Sequence, residues 1–226
     1  MNISIHGIGW LRKEESGCIM KEKRSSYTDG ESVNARSGKD IFHYPFKNFG
    51  RLDLLSKVTC RAVALALDDA GIGYSPGRKQ DIGIIGTNTA GSLQSDIQYF
   101  KDYLESGRTL SRANLFIYTL PSSPLGEAAI YFGLQGPLLY TTGRDKSLAA
   151  MMAVAADMTF HDEASAMLVG TAEEDEAVFF VVMNESDSNR SVLCNVDSAM
   201  EILNNTGTVS GIIKEFSNIK KGKSPR

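Results

Sequence analysis

The sequence predicts a layered α/β domain, and two observations support that prediction. Short apolar runs typical of buried strands, such as DIGIIGT at 81–87, alternate along the chain with segments whose apolar residues recur at helical spacing. Strands that alternate with helices favour a mostly parallel sheet covered by helices. With 226 residues, 42% of them hydrophobic and 23% charged, the chain can bury a sizeable core.

The first half of the chain predicts two strands and two helices. NISIHGIGW at 2–10 reads as a first strand, and residues 13–50 are polar and irregular, as expected of a long surface excursion. Residues 53–70 repeat apolar side chains at helical spacing, and 81–87 is a buried strand. Residues 92–106 predict an amphipathic helix with four apolar side chains in phase: Leu93, Ile97, Phe100 and Leu104.

The second half continues the alternation. Residues 112–124 predict a loop or extended stretch, and Pro124 opens a short helix. The strand 138–142 precedes a helix at 147–160, which is apolar nearly all the way round and is therefore expected to be buried on every side. The Val- and Phe-rich run 176–186 is a strand. Two further segments complete the pattern, a buried strand within 164–175 and one or two short helices over 197–217.

The charge and the cysteine content of the sequence limit the kinds of function and the cellular compartment that we predict. A net charge of −3 gives no electrostatic case for a nucleic-acid partner. The three cysteines are odd in number and far apart, which favours a reducing cytoplasm over a disulfide framework. The N-terminus does not have the pattern of a signal peptide, and no run approaches the ~18 apolar residues of a membrane span. We therefore predict a soluble cytoplasmic protein without a membrane partner.

Glycine and histidine patterns give weak signals for a cofactor or a metal. Gly86 and Gly91 have P-loop spacing, but Ser92 stands where the phosphate-binding lysine belongs, so a tight strand-to-helix connection explains them better. The histidines share no metal-ligand spacing, and a G-x-S-x-G nucleophile elbow is absent from the sequence. The sequence therefore predicts neither a cofactor nor a metal.

From FGLQGP at 132–137 onwards, the sequence resembles the β-ketoacyl synthases of fatty-acid and polyketide assembly. That family has the thiolase-like fold and typically shows FGLRGP, a strand, and then TACASG, with the nucleophilic cysteine at the start of a buried helix. Four other stretches are similar to family motifs in the same order: ISIHGIG, SKVTCRAVALALDDAGI, DIGIIGTNTAGS and ASAMLVGTAEE. The resemblance covers about 50–185 and the first strand.

This resemblance implies the architecture of a single half of a ketosynthase. We expect a thiolase-like, layered α/β/α domain with a mostly parallel, five-stranded mixed sheet. Residues 1–195 would form that domain, including the excursion at 13–50, and 196–226 would form a helical tail with a basic C-terminus.

Two departures from the family pattern indicate that condensation does not run on this chain. Counting from Gly136 and Pro137, the cysteine position falls on Asp145, and Ser147 matches the serine that follows. A helix N-terminus stabilises a carboxylate there by ~1 kcal/mol, and an anion so stabilised is a poor nucleophile. The half of a ketosynthase that carries two catalytic histidines has no counterpart in this sequence. We therefore expect no catalytic residue and treat the position as degenerate, with these neighbours: Arg144, Lys146 and Ser147.

Inactive members of the family, the chain-length factors, pair with an active ketosynthase and shape the tunnel that holds the growing acyl chain. The sequence looks most like the short chain-length factors of type II systems that make aryl-polyene pigments. The resemblance implies a heterodimer with a full-length ketosynthase, with an acyl carrier protein as a further candidate partner. Six residues are the predicted interface or tunnel positions: Phe116, Ile117, Tyr118, Leu138, Leu139 and Tyr140.

Two alternatives stay open at this point. The chain could be a free-standing acyl-thioester hydrolase that uses Asp145, Lys146 or Ser147. That chemistry needs a general base within reach of Ser147, whereas side chains two positions apart on a helix diverge. The chain could also be a homodimer that binds acyl chains without reacting with them.

Overall fold

The computed structural model of the protein describes residues 2–26, 41–109, 112–142, 147–185 and 190–222. Within these ranges, eight strands form one sheet with the order β3-β2-β1-β7-β6-β4-β5, and β8 also pairs with β1. The strands are β1 (Ile3–Arg12), β2 (Glu15–Cys18), β3 (Arg24–Ser26), β4 (Ile82–Thr87), β5 (Leu138–Thr141), β6 (Ala166–Ala172), β7 (Ala177–Asn184) and β8 (Cys194–Asn195).

Strand direction agrees with the predicted sheet. β4 pairs in parallel with both β5 and β6, while β7 is antiparallel to β6 and to β1. Of the five strands β1, β7, β6, β4 and β5, four therefore run the same way, and only β7 is reversed. The predicted five-stranded, mostly parallel mixed sheet is confirmed, and three short strands extend it beyond β1.

Helices cover both faces of the sheet, as a layered α/β/α domain requires. α1 and α4 pack on one face with Phe132, Phe179 and the other members of a first apolar core. α5, α6 and α7 pack on the other face around Phe180 and Phe216. The helices are α1 (Leu54–Asp69), α2 (Leu93–Glu105), α3 (Ala113–Phe116), α4 (Ser123–Phe132), α5 (Ser147–Phe160), α6 (Val196–Asn205) and α7 (Val209–Lys220).

The glycines of the first strand let α1 approach the sheet closely. A Cβ placed on Gly9 would lie 2.2 Å from the backbone nitrogen of Ala66, and one on Gly7 would lie 2.5 Å from that of Ala70. Real Cβ atoms do not approach backbone atoms so closely, so only glycine fits at either position. Helix packing therefore accounts for these two glycines.

Asp69 ties the C-terminal end of α1 to the first two strands. Its side chain is buried, and its Oδ2 atom accepts hydrogen bonds from the backbone amide of Ile8 at 2.8 Å and of Met20 at 2.9 Å. The amides of Ile19 and Lys21 donate to the same carboxylate at 3.2 Å and 2.9 Å. A carboxylate that accepts four amide donors fixes the helix end relative to the sheet.

The expectation of an irregular surface excursion at 13–50 is wrong for its described parts. β2 and β3 extend the sheet by antiparallel pairing with β1 and with each other. Residues 41–49 hold Phe42 and Phe49 in the core, and Tyr44 and Tyr131 exchange hydrogen bonds between side chain and backbone. The aromatic side chains of residues 41–49 are spaced too irregularly to indicate a strand or a helix. Hydrophobic periodicity therefore did not predict that this segment is buried.

Two further expectations from the second half of the chain are corrected. The stretch 112–124, expected as a loop or extended stretch, contains α3 and a 3₁₀ turn at 117–119. Helix α5 has the predicted bounds but is not buried on every side, because Val154 is 45% exposed and Phe160 48% exposed. Its inner face packs on the sheet and on α6, and no described residue covers the outer face.

The helices predicted near the C-terminus are present and belong to the second core. α6 and α7 bury their apolar faces there, including Leu203 and Phe216. The boundary proposed at residue 195 stays a prediction, and residues 223–226 lie outside the described ranges. Among the helices that the structure describes, none is long and apolar enough to cross a membrane.

Candidate functional site at the carboxyl edge of the sheet

The carboxyl ends of the three parallel strands lie together. Thr87 of β4 is in register with Thr141 of β5 and with Thr171 of β6, so the strands end at one edge, where α/β sheets place their ligand sites. Helix α5 begins at Ser147, but the side chain of that residue is not described. The predicted positions Arg144, Asp145 and Lys146 lie outside the described residues, so their roles stay predictions.

A cleft of about 120 Å³ opens at this edge, between the N-terminal end of α1, α2 and the turn after β4. Asp53 lines it, accepting hydrogen bonds from the amide of Ser56 at 2.9 Å and from the hydroxyl of Ser95 at 3.1 Å. On the opposite side, the amide of Thr89 donates to Glu173 at 2.7 Å. The cleft is therefore bordered by carboxylates whose oxygens already accept hydrogen bonds from the protein.

Asn88 organises the turn between β4 and α2. Its Oδ1 atom accepts from the amide of Gly91 at 2.7 Å, and its Nδ2 atom donates to the Gly91 carbonyl at 3.0 Å. Gly91 has a φ of +62°, in the left-handed region where glycine is favoured. The interpretation of Gly91 as part of a tight strand-to-helix connection is confirmed. The hydroxyl of Tyr140 also donates to Asn88 Oδ1, at 2.7 Å.

Next to the Tyr140–Asn88 hydrogen bond lies a second, smaller pocket, which we call the inner pocket. It measures about 10 Å³ and is lined by Gly86, Leu125, Tyr140 and Phe179, among others. A cavity needs about 10–15 Å³ to hold one water molecule. The inner pocket therefore has room for about one water molecule at most.

The titratable groups near the cleft are shifted mainly by burial. Burial raises the pKa of Glu127, and the nearby charge of Asp53 raises it further. The hydroxyl of Tyr118 donates a hydrogen bond of 3.4 Å to Glu127 Oε1, and this bond lowers the pKa of Glu127. Burial, together with the charge of Glu173, raises the pKa of Tyr140. Both shifts run in the direction that loss of solvent around the charged form produces, so they mark Glu127 and Tyr140 as partly desolvated groups.

Cysteines and histidines do not converge on the cleft within the described ranges. Burial raises the pKa of Cys18 to about 12, with the neighbouring Asp69 charge contributing, and that of Cys194 to about 12. Cys60 is fully buried in α1, and burial raises its pKa well above the ordinary value. Thiols shifted in this direction stay protonated and are poor nucleophiles. None of the residues that line the cleft is a histidine.

A large apolar surface lies beside the cleft, and we call it the apolar face. Ten of the thirteen large, exposed hydrophobic side chains of the described chain belong to it, on α2, α3 and the turn after it, α4 and β5. They are Leu93, Ile97, Phe100, Leu104, Phe116, Ile117, Leu120, Ile130, Leu138 and Leu139. These elements contact one another in series, from α2 through α3 and the turn after it to α4 and β5. Exposed apolar side chains on neighbouring elements favour an interaction surface.

The apolar face includes an open edge of the sheet. Among the described strands β5 pairs only with β4, so the backbone donors and acceptors of its other side have no strand beside them. Leu138 and Leu139 on this strand are about two-fifths exposed, and Ile130 of α4 is 80% exposed. An apolar, unpaired edge strand is a ready surface for pairing with another chain.

The six predicted interface residues lie on α3, the 3₁₀ turn after it and β5, and their role at an interface stays a prediction. Phe116 and Ile117 are exposed on the apolar face, and Tyr118 is half-buried at the cleft. Leu138 and Leu139 lie on the open edge strand. Tyr140, from the same strand, lines the inner pocket.

A family comparison agrees with this arrangement. The family model for the β-ketoacyl synthase N-terminal domain matches residues 16–186, well over half of the chain. The chain belongs to the β-ketoacyl synthase family. A comparison of this chain with curated proteins finds no match.

Solved structures share the fold of this ketoacyl-synthase chain at low identity. The ishigamide ketosynthase/chain length factor superposes with a TM-score of 0.62 at 16% identity, covering 86% of this chain and 65% of that one. A β-ketoacyl synthase from Burkholderia phymatum STM815 has a TM-score of 0.64 at 16% identity, covering 86% and 62%. The present chain thus spans less than two thirds of the length of either relative.

A third neighbour is a complex. The ketosynthase ApeO with its chain length factor ApeC, from Xenorhabdus doucetiae, matches with a TM-score of 0.55 at 13% identity. That match covers 81% of the present chain and 79% of the chain from the solved complex. Together, these structures show that the fold is the thiolase-like ketosynthase fold.

Several residues of the site were not found from the sequence. No sequence motif indicates these four residues: Asn88, Leu120, Glu127 and Ile130. Each belongs to the site either because it contacts a residue distant along the chain or because its side chain is exposed in the folded protein. Gly86 has a conspicuous spacing from Gly91, but its packing partner Leu125 lies on a different element, so the sequence around Gly86 does not indicate that contact.

Proposed function

We propose that this chain is a non-catalytic, ketosynthase-like subunit, a chain-length factor, that pairs with an active ketosynthase and shapes the tunnel for the acyl chain. The observation that carries this proposal is the apolar face with its open edge strand β5. An interface core built from aromatic and aliphatic side chains, with an unpaired strand at its border, suits a lasting pairing with a second folded chain.

The absence of catalysis is part of the proposal. The sequence has no cysteine between positions 138 and 160, and by count from Gly136 and Pro137 we assign Asp145 to the position that the family gives to its nucleophile. The three cysteines that the chain does contain lie elsewhere and have raised pKa values. A subunit without a thiolate would need its partner to supply the condensation chemistry.

The proposal extends to the pathway and the carrier. We assign the chain to an aryl-polyene-type system, on its resemblance to short chain-length factors, and we expect an acyl carrier protein to deliver the chain to the complex. The likeness to the ApeO–ApeC complex supports the pairing of a ketosynthase with a chain length factor as the form of assembly.

Copurification from the native host is the experiment that tests the pairing. The tagged protein is expected to recover a full-length ketosynthase at a ratio of one to one, identified by mass spectrometry. Recovery of a homodimer alone would overturn the proposal in favour of acyl binding or thioester hydrolysis by this chain. Adding an acyl-thioester substrate to the purified chain separates those two, since only a hydrolase would release free thiol.

A pair of matched variants locates the interface. Leu139→Lys places a charge on the open edge strand, and Val192→Lys makes the same change at a position that is equally 40% exposed but outside the apolar face. We expect Leu139→Lys to reduce recovery of the ketosynthase at least tenfold, and Val192→Lys to leave it unchanged. Equal recovery with both variants would place the interface elsewhere.

A further inference from the structure

The outer side of α5 is a second exposed surface rich in apolar residues, and it lies on the side of the sheet away from α1 and α4. The exposed residues of this helix, among those with described side chains, are Ala150, Ala153, Val154, Asp157 and Phe160. Residues three and four positions apart lie on one side of a helix, so these side chains form one strip. We call this strip the α5 face, and it shares no residue with the apolar face.

The other helices on this side of the sheet present polar residues to solvent instead. α6 packs against α5, and α7 packs against α6. Every exposed residue of these two helices is polar or charged, as Glu201 of α6 and Lys214 of α7 illustrate. The open side of α5 therefore differs from that of its neighbours, and its alanine, valine and phenylalanine side chains favour burial against another folded chain.

The C-terminal end of α5 carries negative charge that its own helix does not stabilise. Asp157 lies in the last turn, Asp162 and Glu163 follow the helix, and all three residues are exposed. The last turn contains no basic residue, although His161 Nε2 lies 3.4 Å from Asp157 Oδ1. The C-terminal end of a helix is negative and the N-terminal end is positive. These carboxylates are therefore better stabilised beside the N-terminal end of another helix.

A second copy of α5 in antiparallel orientation supplies that positive end. With a two-fold axis at the level of Ala155, position 160 of one helix faces position 150 of the other, and the acidic end of each helix lies beside the start of the other. The ring of Phe160 then lies over the small side chain of Ala150. A parallel pair would instead place ring beside ring and carboxylates beside carboxylates. The strip is thus complementary to itself, in charge and in size, only when the helices are antiparallel.

We propose that the α5 face binds a second copy of this chain, with the two α5 helices antiparallel about a two-fold axis. Because the α5 face and the apolar face have no residue in common, a second copy and a ketosynthase can be bound at the same time. An assembly of two such chains with two ketosynthases rests on the proposed function. The pairing of the chain with itself rests on the α5 face alone.

Sedimentation velocity of the purified chain tests the pairing without a ketosynthase. We expect a dimer, and we expect Val154→Glu to raise its dissociation constant at least tenfold, because the added charge would be buried inside the pair. Ala153→Glu should have the same effect and provides a second variant in case the first does not fold. Val192→Glu is the matched control, since Val192 is 40% exposed and lies on neither surface, and it should leave the dimer unchanged.

Three results of the sedimentation experiment would overturn the pairing. The first is a chain that stays monomeric at ~100 µM, far above the dissociation constant of a stable dimer. The second is a dimer that persists in both α5 variants when thermal melting shows that they are folded. The third is a dimer that Leu139→Lys disrupts and the α5 variants do not, which would place self-association on the open edge of β5.

Disulfide cross-linking tests the antiparallel orientation. Copies with Ala150→Cys and copies with Phe160→Cys, carrying different tags, are mixed and oxidised. We expect the mixed dimer to cross-link at least tenfold more than either variant alone or the unaltered protein, because positions 150 and 160 face each other across the pair. Efficient cross-linking of each variant with itself would indicate parallel helices and overturn the proposed geometry.

The failure of this pairing can be distinguished from the failure of the proposed function. A dimer that Val154→Glu dissociates, without any ketosynthase in the copurification, would support the pairing and overturn the proposed function. A monomeric chain that copurifies with a ketosynthase would overturn the pairing alone. If both hold, Val154→Glu should halve the mass of the purified assembly and keep the ratio of the two chains at one to one.

Discussion

Gly86 in β4 and Gly170 in β6 lie directly opposite each other in the parallel register of the two strands, with no side chain on either. Two facing glycines weaken a sheet locally, because they lose more conformational freedom on folding and provide no cross-strand contact. In this protein, Leu125 and Phe179 pack into the space that the glycines leave. The stability of this region should therefore depend on the fit of those two side chains.

Substitution of Gly86 by alanine tests that fit. The added Cβ meets the tip of Leu125, so we expect a loss of about 1–3 kcal/mol in the free energy of unfolding, measured with urea. Adding Leu125→Ala should cost less in the Gly86→Ala background than alone, since the clash is then removed. Gly126→Ala is the control, because its Cβ would meet nothing within 4 Å on α4, and it should stabilise by about 0.5–1 kcal/mol. Additive effects of Gly86→Ala and Leu125→Ala would contradict the packing described here.

Two adjacent aspartates at the end of α1 should differ sharply in their importance. Asp69→Ala would leave the buried amides of the β1 and β2 region without their shared acceptor, which should cost about 3 kcal/mol or more in the free energy of unfolding. Asp68→Ala removes only salt bridges to Lys21 and Lys23 near the surface, which should cost below about 1 kcal/mol. Chemical denaturation of both variants measures the contrast, and similar losses would show that Asp69 does not hold the strands.

The buried His6 makes stability depend on pH. Burial, followed by the positive charge of Arg190, lowers the pKa of His6 below 6.5, while Glu185 and the backbone of Ser191 act in the opposite direction. The unfolded chain therefore binds a proton more readily than the folded one. The contribution of His6 is fully present above pH 6.5 and is lost as the pH falls from 6.5 through the pKa of the folded state.

Urea unfolding at pH 7.5 and at pH 5.5 measures this loss. His6→Gln cannot take up the proton, so the variant is expected to lose less stability between the two pH values than the unaltered protein does. The comparison uses differences within each protein, so any loss of packing in the variant cancels. An equal change in both proteins would mean that His6 does not titrate on unfolding in this range.

Phe42 should be an anchor for the segment that precedes α1. Its ring is buried and makes edge contacts with Phe49 and Tyr131, at centroid distances of 5.3 Å and 5.2 Å. Phe42→Ala should reduce the free energy of unfolding by about 3–5 kcal/mol. Phe160→Ala, at a position that is 48% exposed, is the control and is expected to have a much smaller effect. Thermal melting that fails to separate the two variants would show that this segment is not anchored by Phe42.

Periodicity was sufficient to predict the long elements of this fold. β4, β7 and α1 depend on local patterns of apolar residues, and their bounds differ from those predicted by at most two residues. Direction within the sheet followed from the alternation of strands with helices, together with the resemblance to a known family. These features depend on residues that are neighbours in the chain, where a single sequence carries most information.

The features that escaped prediction depend on contacts between distant parts of the chain. Asn88 and Tyr140 are 52 positions apart and form one hydrogen bond, and Tyr44 and Tyr131 are 87 apart. Helix α2 was predicted as amphipathic, but whether its apolar side faces the core or the solvent cannot be read from the spacing of Leu93, Ile97 and their neighbours. Exposure is a property of the packed molecule, and only the fold shows that this side is open.

The open edge of β5 also bears on the life of the protein in the cell. A newly made copy has Leu138, Leu139 and the unpaired backbone of that strand exposed until something covers them. Copies that outnumber the molecules able to cover this strand are candidates for self-association and for removal by chaperones and proteases. The amount of this protein that accumulates should therefore follow the supply of whatever covers the edge more closely than its own rate of synthesis.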